Sequence, residues 1–408
     1  MERPSDGWAG FGHLDESSDQ HERMQNILST AKFEFLESQA IIARTRQEDL
    51  PSTLTCSINP SRFTWGFNNI VFEVAFSDGI YWIARVQHTL EDSSSNESYA
   101  TTISEISTIN LIRSRTTIPV PQVFDYCISS DNPFGYPYML TEYLPGRPCN
   151  NILARAVPLK YRSKVAKQLA NVFFELQNLT FDRIGRIWTR DNADMRNNAD
   201  LKLISPAIPD GATDLLDTSL EFFHVKREAE NREIVQSTHP NDADWLTACW
   251  ILKIALGHMI LDDRIRGPFP LCHLDLHHGN LLFDHEFNLT GVLDWSNAQT
   301  APIERLGVCP EFMTFPALSN EENRPIIEFK HLVIQHLREK EEQSQKADSS
   351  LTSLSAFLQS DRAELAYFCT YSHSRRAIWD AKRAAKLMYG GAISWDQLKE
   401  VYGTKAVF

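Results

Sequence analysis

The stretch Cys272–Trp295, CHLDLHHGNLLFDHEFNLTGVLDW, organises the rest of the chain. His273 and Asp275 stand one residue apart, and Asn280 lies five residues beyond the Asp. Leu281-Leu282-Phe283 is a short apolar run, which suits a buried strand. A turn and a second strand, Thr290 to Leu293, follow and end at Asp294. From Asn280 to Asp294 there is room for a strand, a turn and a strand.

The order His-x-Asp-x-x-x-x-Asn is the spacing of a kinase catalytic loop. Phosphoryl transfer is mostly positioning and charge neutralisation, so few residue types are needed. A carboxylate must accept a hydrogen bond from the attacking hydroxyl, and Asp275 suits that task. Two oxygen ligands must hold magnesium, a hard cation, and Asn280 and Asp294 supply them. His273 is expected to brace the loop by hydrogen bonding. His277 and His278 are expected to pack within the loop and not to bind metal.

The segment upstream of this stretch alternates as strands do. Ile70, Phe72, Val74 and Phe76 alternate, Ser77-Asp78-Gly79 is a hairpin turn, and Ile80, Trp82, Ala84 and Val86 alternate again. The turn Trp65-Gly66-Phe67-Asn68-Asn69 precedes them, and Gly66 there lets backbone approach phosphates. Arg85 falls in the strand Ile80 to Val86, where a nucleotide-binding cation is expected. A helix follows at about Thr101 to Arg115, after a polar loop over residues 91 to 98. Its Glu105 is placed to pair with Arg85. Tyr138 to Tyr143 reads as a strand, stopped by Leu144-Pro145-Gly146. The backbone carbonyl of Glu142 and N–H of Leu144 are the natural adenine-binding groups.

The chain has 408 residues and a net charge of -13, with 42% hydrophobic and 23% charged residues. That composition suits a folded chain with a large core. The acidic balance disfavours nucleic acid as the main partner. No run of about 20 apolar residues suggests a membrane span. The first residues lack the apolar core of a secretory signal. Seven cysteines without a Cys-x-x-Cys pair suggest buried free thiols in a reducing compartment, hence a cytoplasmic protein.

Residues 1 to about 20 read as a mobile arm, and Gln20 to about Gln47 as one helix closed by Leu50-Pro51. Past Gly146 the chain is mostly helical, with Tyr161–Leu179 and Asp242–Leu261 clearest. Residues 183 to 240 read as polar and irregular. Aspartates 191, 194, 200, 210, 214 and 217 there suit a solvated face better than a pocket for a cationic substrate.

With these residues in place, the chain resembles the aminoglycoside phosphotransferase family, a branch of the protein-kinase-like fold, and its fungal members most. The phrases PFPLCHLDLHHGNLLFD, GVLDW, IPVPQV and YMLTEYLPGRP carry the likeness, which runs from about Phe63 to Phe315. The resemblance implies an α+β fold of two lobes, a small β-rich N-lobe and a larger, mainly helical C-lobe. The expected boundaries are an arm and helix over 1–50, the N-lobe over 51–141 and the C-lobe over 142–408. An exposed insertion is expected near 340–356.

The resemblance also implies an ATP- and magnesium-dependent transfer of phosphate to a hydroxyl of a small molecule. Asp275 would be the catalytic base, Asn280 and Asp294 the metal ligands, and Gly66 part of the nucleotide loop. The acceptor stays open among amino alcohols, sugars and secondary metabolites. Three residues depart from the family pattern: Arg85 replaces the usual Lys, Leu274 a frequent Gly, and Ser296 a common acidic residue. A nucleotide-binding scaffold without transfer is the alternative reading. The lack of an Ala-Pro-Glu-type segment after Asp294 disfavours a protein kinase.

Overall fold

The computed structural model describes residues 3–47, 53–88, 96–189, 201–207, 214–238, 242–315, 318–344, 350–370 and 376–408. Helices α1 (Asp19–Thr30) and α2 (Phe33–Thr45) come first. The periodicity suggests one helix, but Ala31 is extended (φ -66°, ψ 138°). The Lys32 N–H bonds the Phe134 carbonyl at 3.2 Å instead of continuing the helix. Leu50 and Pro51 lie outside the described residues.

Five strands follow: β1 (Cys56–Trp65), β2 (Asn69–Phe76), β3 (Tyr81–Gln87), β4 (Val123–Cys127) and β5 (Tyr138–Glu142). They form one antiparallel sheet in the order β1-β2-β3-β5-β4. β1 starts earlier than the alternation indicates, because its register shifts between Ile58 and Phe63. Such a shift breaks a period-2 pattern. Helix α3 (Asn96–Arg115) connects β3 to β4. Residues 96–98 therefore open the helix and are not loop, while 91–95 lie outside the described residues.

The sheet has two different faces. Ile70, Phe72 and Val74 of β2 and Trp82, Ala84 and Val86 of β3 are buried with Met24, Ile27, Leu36 and Ala40 of α1 and α2. Side chains alternate across a strand, so Arg85 lies on the opposite face, where α3 meets it. The expected mobile arm is instead packed against the sheet. Arg3 pairs with Glu73 at 2.7 Å, and the Gly10 N–H donates to the Phe63 carbonyl at 3.1 Å.

The remaining chain adds β6 (Arg147–Pro148), α4 (Leu153–Ala156), α5 (Leu159–Asn178), β7 (Thr180–Phe181), β8 (Arg186–Thr189), β9 (Leu201–Ile204), α6 (Ser219–Glu233) and α7 (Ala243–Met259). Then come β10 (Phe269–Cys272), β11 (Leu281–Phe283), β12 (Leu289–Val292), β13 (Gln299–Thr300) and α8 (Ile303–Leu306). Helices α9 (Asn320–Gln343), α10 (Leu354–Gln359), α11 (Asp361–Thr370), α12 (Ala377–Tyr389) and α13 (Trp395–Tyr402) complete it. Their apolar faces share a second, larger core that includes Val165, Phe173, Leu252, Phe329 and Phe368.

Two expectations fail here. Residues 183–240 are not irregular throughout: β8 and β9 pair, and α6 is a full helix with a Thr218 N-cap. Its polar letters mislead because Arg227 and Asn231 are buried and bond each other at 3.0 Å. Likewise, 340–356 is not a free insertion. Helix α9 continues to Gln343, and Leu354 and Ser355 are buried, with Ser355 bonded to Glu341. Residues 345–349 lie outside the described residues.

The link from sheet to helices is tightly placed. Gly146 has φ +121°, and a Cβ there would sit 2.4 Å from Thr290 Oγ1 and 2.9 Å from the Phe283 carbonyl oxygen. Only glycine allows that backbone and that approach. The link is thereby seated on the β11–β12 hairpin, and β6 pairs with β11.

Candidate active site

Strand β10 delivers the loop that begins at His273. This ring is buried, 4.5 Å from the Trp295 ring. Its Nδ1 takes the Asp275 N–H at 3.4 Å, which leaves Nε2–H to donate to the Leu293 carbonyl at 2.8 Å. Burial pushes its pKa below the ordinary histidine value, so the ring is neutral near pH 7. It ties the start of the loop to the end of the hairpin.

The β11–β12 hairpin brings Asn280 beside Leu293. Leu281 faces Val292, and the Leu293 N–H donates to the Asn280 carbonyl at 2.8 Å. Asp294 follows at once. The Asn280 Nδ2 donates to the Asp275 backbone carbonyl at 2.9 Å, which leaves its Oδ1 as the atom for a cation. Asp275, Asn280 and Asp294 are thus held on one loop and hairpin.

Three residues in this unit adopt left-handed backbone: Leu274 at φ 59°, Phe287 at φ 58° and Asp294 at φ 61°. That costs roughly 1–2 kcal/mol each for a residue with a Cβ. It also gives a reason for glycine at the Leu274 position. Here the Leu274 carbonyl is gripped by Arg305 Nη2 at 2.7 Å, and its side chain packs on the larger core. Ser296, the residue that departs from the acidic pattern, donates its hydroxyl to Asp294 Oδ1 at 2.7 Å.

The Asp275 carboxylate is 43% exposed, open to an incoming group. His277 lies against it, with Nε2 3.5 Å from Oδ2. The His277 bond, followed in effect by burial acting the other way, holds the Asp275 carboxyl below the usual range. The reciprocal effect raises the His277 pKa. His277 is therefore more than loop packing, and no spacing rule in the sequence marks it. His278 does serve packing: its N–H and Nδ1–H both donate to Glu311 Oε1 at 2.9 Å. Glu311 is fully buried, and its other oxygen accepts the Leu153 N–H at 2.5 Å. It clamps the loop to α4, a role its lone acidic letter does not reveal.

On the sheet side, Arg85 Nη1 meets Glu105 Oε1 at 2.5 Å, with side chains 23% and 7% exposed. Burial works against the guanidinium charge, but Glu105 first and Asp294 next outweigh it and raise the Arg85 pKa. Asp294 is thus within electrostatic reach of Arg85, which joins the two halves of the site. Gly66 has space around it, since a Cβ there would meet nothing within 4 Å. The fold itself does not require glycine at that turn. The Glu142 side chain turns to Arg113 Nη1 (3.2 Å) and the Gln122 N–H (3.0 Å). Leu144 packs over Gly291. Of the aspartates noted earlier, Asp217 pairs with Arg183, Asp214 is exposed, and 191, 194, 200 and 210 lie outside the described residues. Among the described residues no three His, Cys, Asp or Glu side chains form a metal cage. All seven cysteines are free, though Cys56, Cys127 and Cys149 are only half-buried. Among the described residues no helix is long and apolar enough to cross a membrane.

A buried-His loop, a paired hairpin and an Arg–Glu pair facing it define a two-lobe, kinase-like α+β fold. The chain belongs to the phosphotransferase enzyme family, whose model matches residues 61–320. Its fold is shared with the crystal structure of a candidate aminoglycoside phosphotransferase from Ralstonia eutropha. The TM-score is 0.50 at 12% identity, over 90% of this chain and 98% of that one. A subtelomeric hrmA-associated cluster protein of Aspergillus fumigatus is 25% identical over 162 residues, 40% of this chain and 29% of that protein. Altered inheritance of mitochondria protein 9 of Candida glabrata is 24% identical over 146 residues, 32% of this chain and 22% of that protein. The chain therefore spans under a third of the length of these two curated relatives.

Proposed function

We propose that this chain transfers phosphate from ATP, with magnesium, to a hydroxyl of a small molecule in the cytoplasm. The observation that carries the reading is the meeting of Asp275, Asn280 and Asp294 on one braced loop and hairpin, with Arg85 in reach of Asp294.

The donor set fits a hard cation: one amide oxygen and one exposed carboxylate. Magnesium, when bound, neutralises charge on the phosphates. Asp294, steadied by the Ser296 hydroxyl, and Asn280 Oδ1 would hold it. Arg85, held by Glu105, presents its remaining N–H groups to phosphate, and a guanidinium suits that geometry. Glu142 and Leu144 offer backbone groups to adenine, and the Gly66 turn lies open to backbone approach. Asp275 stays ionised at neutral pH and accepts the hydrogen bond of the acceptor hydroxyl. His273, neutral and buried, fixes the loop and moves no proton.

The formed Arg85–Glu105 pair favours an active enzyme over a scaffold, since the Lys-to-Arg change leaves the pairing intact. Following ATP consumption against a panel of small hydroxyl compounds tests the reading. Asp275→Asn is expected to lower turnover about 10²- to 10⁴-fold. Full activity in that variant would remove Asp275 from the role.

A further inference from the structure

The segment before the family-matched region reaches the Gly66 turn. The Trp65 Nε1–H donates to the Phe11 carbonyl at 3.3 Å, and the Gly10 N–H donates to the Phe63 carbonyl at 3.1 Å. The Phe11 ring lies 5.0 Å from the Phe63 ring and 4.2 Å from that of His21. Gln20, in the first turn of α1, donates its Nε2–H to the Gly66 carbonyl at 3.0 Å. His88 Nε2 sits 3.1 Å from the same oxygen, and the His88 N–H donates to the Asn68 carbonyl at 3.0 Å. One carbonyl in the turn is thus held by side chains from the arm and from the end of β3.

The face on which this occurs decides what it can do. His88 follows Trp82, Ala84 and Val86 in the alternation of β3, on the side of α1 and α2. Arg85 lies on the other side with Glu105. The arm therefore stands behind the turn, and phosphates met by Arg85 would lie in front of it. The His88 side chain is buried, and its Nδ1 has no hydrogen-bond partner among the described residues. Its bond to the Gly66 carbonyl then takes up the Nε2–H, and His88 cannot rearrange cheaply to replace Gln20.

We propose that the arm sets the position of the 65–69 turn from behind, with Gln20 as a positioning residue for the nucleotide. This rests on the ATP reading above. A hydrogen bond with a net worth of the usual size, when lost, changes an equilibrium by roughly 3- to 10-fold.

The test uses the full chain with Gln20→Ala and with Gln20→Lys, whose ammonium can still donate to the carbonyl. Two readouts are taken: amide hydrogen exchange across residues 65–69, and the KM for ATP against kcat. The proposal expects faster exchange in Gln20→Ala, a KM for ATP raised about 3- to 10-fold, and kcat changed less than about twofold. Gln20→Lys should return both readouts toward wild type. Unchanged exchange in Gln20→Ala overturns the buttress. Faster exchange with an unchanged KM overturns its nucleotide role. If wild type shows no binding or turnover of ATP while exchange still responds, the ATP reading fails and the buttress alone stands. Gln20 is half-buried and its bond is open to solvent, so the variants should melt close to the wild type, and an unchanged Tm separates a KM change from a loss of fold.

Discussion

Arg85→Met and Glu105→Leu should be unequal in cost although they break the same bond. In Arg85→Met, Glu105 keeps a carboxylate that is 7% exposed and has lost its cation. Leaving a buried charge unpaired costs about 3–5 kcal/mol, and slight exposure argues for the lower end, about 3 kcal/mol. In Glu105→Leu, Arg85 is 23% exposed and still feels Asp294. The cost there should be about 1–2 kcal/mol, closer to a partly solvated pair. The double variant replaces both charges with apolar groups of similar size, and such replacement is often nearly neutral. The double-mutant cycle should therefore return a coupling of about 2 kcal/mol or more. Urea unfolding at neutral pH, with all four proteins at one ionic strength, measures it. Equal single costs below about 0.5 kcal/mol, with no coupling, would refute the reasoning. The pair would then be a surface contact with no structural role.

Glu311→Ala removes the buried acceptor of the Leu153 and His278 N–H groups, and should cost about 3 kcal/mol in urea unfolding. Leu274→Gly should be near neutral, within about 1 kcal/mol, because relief of left-handed strain offsets lost packing. Leu274→Val, β-branched at the same φ, should lose about 2 kcal/mol or more by the same assay. The His277 pKa is raised in the fold, so its stabilising contribution is present below its unfolded value and fades as pH rises through the folded one. Melting curves of wild type and His277→Ala should therefore differ more at pH 6 than at pH 8.5. Asp275, with a lowered pKa, has the opposite sign, and its contribution fades only as pH falls below the ordinary carboxylate range.

The parts of the site legible in the sequence are those fixed by local spacing. His273, Asp275 and Asn280 lie within eight residues, and the hairpin that returns Asp294 is one apolar run, one turn and one strand. The Arg85–Glu105 pair is legible because a kinase-like site pairs a strand cation with a carboxylate of the next helix, and Arg85 and Glu105 stand at those places. The roles of these residues toward nucleotide and metal remain expectations carried by chemistry. The arm carries no apolar period, because it docks through backbone groups, one ion pair and two isolated apolar side chains, Phe11 and Leu14. Helix α6 was missed because it buries Arg227 and Asn231 beside Phe222 and Phe223, which blurs the polar and apolar faces. His277 meets Asp275 through the turn of the loop itself, and Glu311 meets the loop and α4 only across the fold, so no spacing announces either.

The most direct test is a thermal shift with ATP, with and without magnesium, on wild type and Asp294→Asn. At a concentration 100 times its dissociation constant a ligand stabilises the fold by about 2.7 kcal/mol. The account predicts a magnesium-dependent rise in Tm for wild type that is lost in Asp294→Asn. No rise in wild type at millimolar ATP with magnesium, or an equal rise in both proteins, would contradict it.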